Sequence, residues 1–194
     1  MSEDAPTFAP INGAELRFAV VAALFNTKLV DTLVSRAIET LLQAGVSRED
    51  IELVRVPGSN ELPYAAAMLA KSGEFDGVIA LGVVLEGETP HAQIIADSTG
   101  PALQRIAIDT EVPVINGILL VHNLAQAEAR VAGKHDRGRE FGQAALQMAV
   151  LKRALVERLD QLEAEREQAQ GDDSGDGLKW KDFPGQSGKD PWKL

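Results

Sequence analysis

The chain has 194 residues, of which 45% are hydrophobic and 25% are charged, with a formal net charge of −10 and no cysteine. This length favours one domain with a proper core, and the lack of cysteine excludes disulfides, thiol nucleophiles and thiolate metal sites. The negative charge argues against non-specific binding to nucleic acid, and no apolar run approaches the roughly 20 residues that cross a bilayer, so we predict neither a nucleic-acid nor a membrane partner.

Strand-like and helix-like segments alternate along the chain. Residues 16–25 (LRFAVVAALF) form a nearly unbroken apolar run, which is typical of a strand covered on both faces. Residues 31–44 have helical spacing and stop at Gly45, and Ile51–Val56 predicts a short strand. Residues 61–71 then predict an alanine-rich helix that is closed by a glycine.

The same alternation continues in the second half of the chain. Gly77–Leu85 (GVIALGVVL) and residues 112–121 predict two more buried strands, separated by a helix that runs from Thr89-Pro90 to about residue 109. Helical patterns follow at Leu124–Val131 and at residues 140–169. Four strands alternating with helices predict an α/β fold, a three-layer α-β-α sandwich around a four-stranded parallel sheet.

The two ends of the chain differ from this pattern. MSEDAPTFAP lacks the basic and apolar regions of a signal peptide, so we expect a cytoplasmic protein. We predict a flexible segment at residues 1–14 and one domain at residues 15–170. Residues 171–194 are rich in glycine, aspartate and lysine without periodicity, which predicts a disordered tail. Its aromatic residues form either a docking motif for a partner or an unselected part of the tail: Trp180, Phe183 and Trp192.

Ligands of an open parallel sheet bind beyond the carboxyl ends of its strands. The most informative loop there is residues 85–91 (LEGETPH), in which Thr89 is a candidate N-cap and Pro90 suits the first helical position. Free N–H groups at such a helix start can bind a phosphate without a basic protein. His91 in the first turn then either transfers protons beside the anion or is an ordinary surface residue.

Other side chains near the predicted strand ends also leave alternatives open. Phe25 is either a core residue or a platform for a ring, and Glu61 either accepts hydrogen bonds from a polyol or simply begins its helix. Histidine spacing gives no sign of a metal site, so we predict no metal. A basic cluster is either a phosphate clamp or a solvated face: Arg130, Lys134, Arg137 and Arg139.

Several segments match one family pattern in the same order. Phe25-Asn26 matches an R-F-N strand end in which Leu24 replaces arginine, and residues 56–63 (VPGSNELP) match V-P-G-(A/S)-x-E-(I/L)-P. Residues 79–91 (IALGVVLEGETPH) match the strand and phosphate loop L-G-x-V-(I/L)-x-G-x-T-x-H. Within that loop, Glu86 stands where many relatives have arginine.

The match continues downstream. Residues 112–119 (VPVINGIL) fit the following strand, and Arg130 and Arg137 fit two basic positions. Together, these segments resemble the lumazine synthase family over about residues 16–158. The resemblance implies condensation of 5-amino-6-(D-ribitylamino)uracil with 3,4-dihydroxy-2-butanone 4-phosphate to give 6,7-dimethyl-8-ribityllumazine, phosphate and water.

The resemblance also implies roles for individual residues. His91 transfers protons, Phe25 stacks on the pyrimidine, and Asn116 lies at a contact contributed by a neighbouring subunit. The residues implied to contact ribitylaminouracil are Phe25, Ser59, Asn60, Glu61, Val83, Val84, Leu85 and Asn116. The residues implied to contact the butanone phosphate are Glu88, Thr89, Arg130 and Arg137.

Further implications of the resemblance concern assembly. They are a flavodoxin-like fold, an N-terminal segment that pairs with a neighbouring subunit, and a homo-oligomer that is a pentamer or a sixty-subunit shell. The resemblance also implies association with riboflavin synthase, and it implies no cofactor. The alternative is a non-catalytic homologue that binds flavin or lumazine or forms a shell, because a fold does not prove an activity.

Overall fold

Buried apolar runs and amphipathic segments fold into the elements that their patterns predict. The computed structural model describes residues 10–133 and 135–172. Its strands are β1 (Phe18–Ala23), β2 (Ile51–Val56), β3 (Gly77–Leu85) and β4 (Val114–Val121). Its helices are α1 (Thr27–Gln43), α2 (Leu62–Lys71), α3 (His91–Thr110), α4 (Leu124–Val131) and α5 (Arg137–Asp172). Short 3₁₀ turns precede β2 and α2, at Arg48–Asp50 and Ser59–Glu61.

The four strands form one parallel sheet in the order β2-β1-β3-β4. β1 pairs with β2 from Phe18↔Ile51 and with β3 from Phe18↔Gly77, while β4 pairs with β3 from Val78↔Val114. All six residues of β1 are buried, as expected of an inner strand. The predicted four-stranded parallel sheet is therefore confirmed, and its order is that of a flavodoxin-like fold.

Helices cover both faces of the sheet because successive side chains of a strand point to opposite faces. Phe18, Val20 and Ala22 pack in one core with buried residues of α1, α4 and α5. Ala19 and Val21 pack in the other core with buried residues of α2 and α3. The predicted three-layer α-β-α sandwich is confirmed.

Two helices begin earlier than their apolar spacing predicted. α1 starts at Thr27 and not at residue 31, because Asn26 adopts a left-handed conformation (φ 56°) and its carbonyl accepts hydrogen bonds from the N–H groups of Leu29 and Val30. α5 starts at Arg137 and not at residue 140, where the carbonyl of Asp136 accepts a hydrogen bond from the Glu140 N–H at 3.2 Å. Capping by the preceding residue thus extends both helices beyond their apolar stripe.

The last strand is less buried than predicted. β4 begins at Val114 and not at residue 112, since Pro113 has no N–H to donate to the neighbouring strand. The Pro113 carbonyl still accepts a hydrogen bond from the Val78 N–H at 2.8 Å. β4 lies at the edge of the sheet, so several of its residues, including Asn116, keep part of their surface exposed.

A group of hydrogen bonds joins α5 to the residues just before β1 and β3. Arg153 donates from Nε and from a terminal nitrogen to the two carboxylate oxygens of Asp76, each at 2.9 Å, and also to the Glu15 carbonyl at 2.6 Å. The Arg17 N–H donates to the same carboxylate at 2.9 Å. The hydrogen bond to Asp76 raises the pKa of Arg153 above its ordinary value, which favours the charged guanidinium in this contact.

The chain divides into two compact units, Met1–Arg153 and Ala154–Leu194. In the second unit, the described residues are those of α5 up to Asp172. Most of the tail predicted at residues 171–194 lies outside the described residues, as do residues 1–9. Across the described part of the chain, no helix combines the length and the apolar character needed to span a membrane. The aromatic residues of the predicted tail also fall outside that part: Trp180, Phe183 and Trp192.

Candidate active site

The carboxyl ends of β1 and β3 flank the point where the strand order of the sheet reverses, which is where open α/β sheets bind ligands. A cleft of about 610 Å³ opens there. Loops after β1 and β2, the end of β3 and the first turns of α3 supply its lining, which is Phe25, Asn26, Gly58, Ser59, Asn60, Glu61, Val83, Val84, Leu85, His91, Ile94 and Ile95. Three of the four segments predicted at the strand ends thus meet in one cavity, whereas residues 121–123 at the end of β4 do not line it.

Phe25 and Asn26 follow β1 and form one wall of the cleft. The Phe25 side chain is 72% exposed, so its interpretation as a core residue is wrong. Asn26 donates a hydrogen bond from Nδ2 to the Val83 carbonyl at 2.8 Å, and the Thr27 hydroxyl donates to the Leu24 carbonyl at 2.5 Å. These two bonds hold the turn that presents the Phe25 ring to the cleft.

The 3₁₀ turn Ser59–Glu61 forms the adjoining wall. Ser59 is 5% exposed, and the Glu61 N–H donates to the Gly58 carbonyl at 3.2 Å. A Cβ placed on Gly58 would lie 3.0 Å from the Glu61 carboxylate and 3.4 Å from the Phe25 ring. A glycine here therefore leaves room for the carboxylate and the ring on this side of the turn. Glu61 both ends the turn and lines the cleft.

The close packing of this turn on β3 gives a first prediction. A Cβ on Gly82 would lie 2.4 Å from the Ser59 hydroxyl oxygen and 3.2 Å from Leu62 Cδ1. We expect Gly82→Ala to force the turn away from the sheet and to lower the free energy of unfolding by about 1–2 kcal/mol, measured by urea denaturation. Adding Ser59→Gly removes the Ser59 side-chain atoms, so the double variant should be nearly as stable as Ser59→Gly alone. A Gly82→Ala variant as stable as the parent would contradict this account of the contact.

The chain passes from β3 into α3 through residues 86–90. The predicted N-cap Thr89 is wrong by one residue: Pro90 caps the helix, and its carbonyl accepts a hydrogen bond from the Ile94 N–H at 3.0 Å. Pro90 has a φ of −70°, which its ring favours, and so precedes the helix without strain. His91 lies in the first turn of α3, as predicted, but as its first residue, because Pro90 is the cap and not the first helical residue; His91 lines the cleft.

Ile94 and Ile95 line the cleft beside His91 and were missed by the sequence reasoning. They follow His91 by three and four residues, which is the spacing that brings helical side chains to one face. That spacing was a signal in the sequence, but it identifies a lining residue only once the face of α3 that meets the cleft is known. Ile94 remains 60% exposed in the single chain.

Five predicted contact residues do not line the cleft formed by the described residues of one chain: Glu88, Thr89, Asn116, Arg130 and Arg137. Arg130 lies on α4 and donates to the Gln126 carbonyl at 3.4 Å, and Arg137 pairs with Glu140 at the start of α5. The Asn116 side chain accepts a hydrogen bond from the Ile118 N–H at 3.1 Å on edge strand β4. Their assignment to the site stays a prediction.

The ionisable side chains in and near the cleft are carboxylates and the imidazole of His91. Glu61 lines it, and Glu86 and Glu88 are exposed in the loop before α3. Among residues 10–133 and 135–172, no three acidic or histidine side chains come together in a way that could hold a metal ion. An aromatic wall, a polar turn and an imidazole at a helix start can hold a planar ring with a polar chain and move protons beside it.

Fold and cleft together define an α/β protein with a cleft of small-molecule size at the switch point of a parallel sheet. The family model for 6,7-dimethyl-8-ribityllumazine synthase matches residues 15–153. The proteins of that name from Polynucleobacter necessarius and Paraburkholderia phymatum are 42% and 41% identical to this chain, over 78% and 77% of it and 87% and 85% of their own lengths. The one from Stenotrophomonas maltophilia K279a is 41% identical over 70% of this chain and 88% of its own. The chain belongs to the 6,7-dimethyl-8-ribityllumazine synthase family, which are transferases of riboflavin biosynthesis.

Proposed function

We propose that this chain condenses 5-amino-6-(D-ribitylamino)uracil with 3,4-dihydroxy-2-butanone 4-phosphate to 6,7-dimethyl-8-ribityllumazine, releasing phosphate and water. The observation that supports the reaction is the single cleft that combines the Phe25 ring, the Ser59–Glu61 turn and His91. Its volume of about 610 Å³ is within the range of pockets that hold small-molecule ligands. Family membership supports the same reaction.

Ribitylaminouracil would bind along the walls formed by β1, β2 and β3. Phe25 stacks on the pyrimidine, since its ring is exposed to the cleft and held by the turn at Asn26. The ribityl chain takes hydrogen bonds from the polar turn, and backbone groups at the end of β3 bind the ring. The residues in these roles are Ser59, Asn60, Glu61, Val83, Val84 and Leu85, with Asn116 supplied by a neighbouring subunit.

The butanone phosphate would bind at the start of α3. Backbone N–H groups of Glu88 and Thr89 donate to the phosphate, the Thr89 hydroxyl adds a donor, and Arg130 and Arg137 supply positive charge.

We expect Arg130→Ala to raise the KM for the butanone phosphate about tenfold and to leave the KM for ribitylaminouracil within about twofold. Arg139→Ala is the matched control from the same basic cluster. Equal effects of both substitutions on this KM would contradict a specific role for Arg130.

The proposed reaction depends mainly on positioning the two substrates beside each other. The 5-amino group attacks the ketone, water leaves to form an imine, phosphate is eliminated, and ring closure by the ribityl-bearing nitrogen releases a second water. Binding both substrates in one cleft makes the first step intramolecular, which can supply much of the rate. His91, at the start of α3, transfers protons during imine formation and phosphate elimination.

The direct test is to mix the purified protein with both substrates and follow lumazine fluorescence. The proposal predicts formation well above the uncatalysed rate with release of one phosphate per lumazine. If no product forms above that rate while the protein still binds flavin or lumazine in a fluorescence titration, the non-catalytic alternative replaces it. Omitting each substrate in turn is the control.

We also propose that the chain forms a homo-oligomer, a pentamer or a larger shell, whose subunits complete each other's sites. Large apolar side chains exposed on one chain support this: Phe25, Tyr64, Met68, Ile94 and Ile108. Such exposure is typical of surfaces that bind another protein. Multi-angle light scattering at micromolar concentration tests it, because a single species at the mass of the 20.8 kDa monomer would contradict assembly. Co-purification tests the proposed association with riboflavin synthase, and cell fractionation tests the proposed cytoplasmic location.

The catalytic domain is proposed to occupy residues 15–170. The family match covers residues 15–153 of it, which supports its amino-terminal boundary. Residues 171–194 are proposed to be a tail outside the reaction, so their deletion should leave the activity unchanged. Loss of a co-purifying partner after the same deletion would support a docking role for the tail.

A further inference from the structure

The loop that carries the proposed phosphate contacts is tied to the end of the neighbouring strand. The Glu86 N–H donates to the Val121 carbonyl at 2.9 Å, and the Glu86 carboxylate pairs through Oε2 with Nδ1 of His122. The His122 N–H in turn donates to the Gln126 side-chain oxygen at 3.1 Å, in the first turn of α4. Glu86 is thus joined through both backbone and side chain to consecutive residues at the end of β4.

This pair determines where a negative charge of the loop lies. A carboxylate turned toward the helix start would repel a bound phosphate, since like charges at close range disfavour each other. Pairing with His122 draws the Glu86 carboxylate toward β4 instead. Gly87, the next residue, has open space where a side chain would be, so little other packing holds this part of the loop.

We propose that His122 is a positioning residue for the phosphate substrate, which acts by holding the carboxylate of Glu86 away from the loop at residues 87–90. This inference rests on the proposed function of the cleft. His122 and Glu86 keep 67% and 40% of their side-chain surface exposed, so the pair is screened by water and its effect is moderate. The pair orients the Glu86 carboxylate and adds little to the stability of the fold.

Steady-state kinetics with each substrate varied in turn test the proposal. In His122→Ala, the Glu86 carboxylate loses its partner and can turn toward the loop. We expect the KM for the butanone phosphate to rise about 3- to 10-fold, while kcat and the KM for ribitylaminouracil stay within about twofold. In the double variant His122→Ala/Glu86→Ala the charge is gone, so that KM should return to within about twofold of the Glu86→Ala value.

The matched control removes the same charge at Glu128, an exposed residue of α4 that does not line the cleft. Adding Glu128→Ala to His122→Ala should leave the raised KM in place. The proposal is overturned if His122→Ala has a normal KM for the butanone phosphate, or if the double variant with Glu86→Ala is no better than His122→Ala alone. Thermal unfolding of every variant identifies any that lose activity by unfolding.

A spectroscopic readout separates this proposal from the proposed function. Long-range ¹H–¹⁵N spectra report which ring nitrogen of a histidine carries a proton. We expect His122 Nδ1 to be protonated in the parent protein, and the neutral ring of the Glu86→Ala variant to carry its proton mainly on Nε2. An inactive protein with this signature would contradict only the proposed function, whereas an active protein without it would overturn the role of the pair.

Discussion

The His91→Ala variant is expected to form lumazine about 10- to 100-fold more slowly at saturating substrates, and to remain active. General acid–base catalysis by one side chain contributes roughly 10²–10⁴-fold when proton transfer limits the rate, and a smaller factor is expected here because positioning of two substrates carries much of the rate. This variant keeps the Phe25 ring and the Ser59–Glu61 turn of the cleft in which both substrates are proposed to bind. KM values should therefore change by less than about threefold.

Stopped-flow or steady-state fluorescence at pH 6 to 8 measures this effect. His135→Ala is the matched control, because His135 lies between α4 and α5 and does not line the cleft. His91→Gln, which keeps a hydrogen-bonding side chain but cannot exchange protons near neutral pH, should be as slow as His91→Ala. If His91→Ala keeps the kcat of the parent protein across that pH range, the proton-transfer role of His91 is wrong.

The Gly142→Val variant is expected to be less stable than the parent by about 3 kcal/mol or more. A Cβ at this position would lie 2.8 Å from Thr40 Cβ and 2.9 Å from the Ala37 carbonyl oxygen, where α5 packs on α1. Because one of these atoms belongs to the backbone of a buried helix, no side-chain rotation relieves the overlap, and the two helices must separate. Valine also favours a helix over glycine by only a few tenths of a kcal/mol, which is much less than this cost.

Urea denaturation at a fixed protein concentration measures the loss, since assembly makes apparent stability depend on concentration. Met148→Val on the same helix is the control: its side chain is 42% exposed, so it carries the helix propensity of valine without the overlap. We expect Met148→Val to remain within about 1 kcal/mol of the parent. Equal stabilities of the two variants would show that α1 and α5 are not packed as closely as described.

Much of the candidate site was predictable because it follows from a rule about strand ends. Phe25, the Ser59–Glu61 turn and His91 were each assigned to loops after predicted strands, and the cleft brings them together. The cap of α3 was misassigned to Thr89, because threonine is favoured at that position by its side chain while Pro90 occupies it through backbone geometry alone. Ile94 was missed because spacing does not reveal which helix face meets a cleft.

The sequence by itself determined the elements of this protein and the residues that begin or follow them. Helical spacing, apolar runs and glycine or proline stops act between residues a few positions apart, and those interactions are readable along the chain. Only the tertiary structure decided which distant side chains meet. Glu86 and His122 are 36 residues apart and Arg153 and Asp76 are 77 apart, and each pair forms because of strand order and helix packing. Such contacts depend on the parallel register of β3 beside β4 and on where α5 lies against the sheet, which no local pattern encodes.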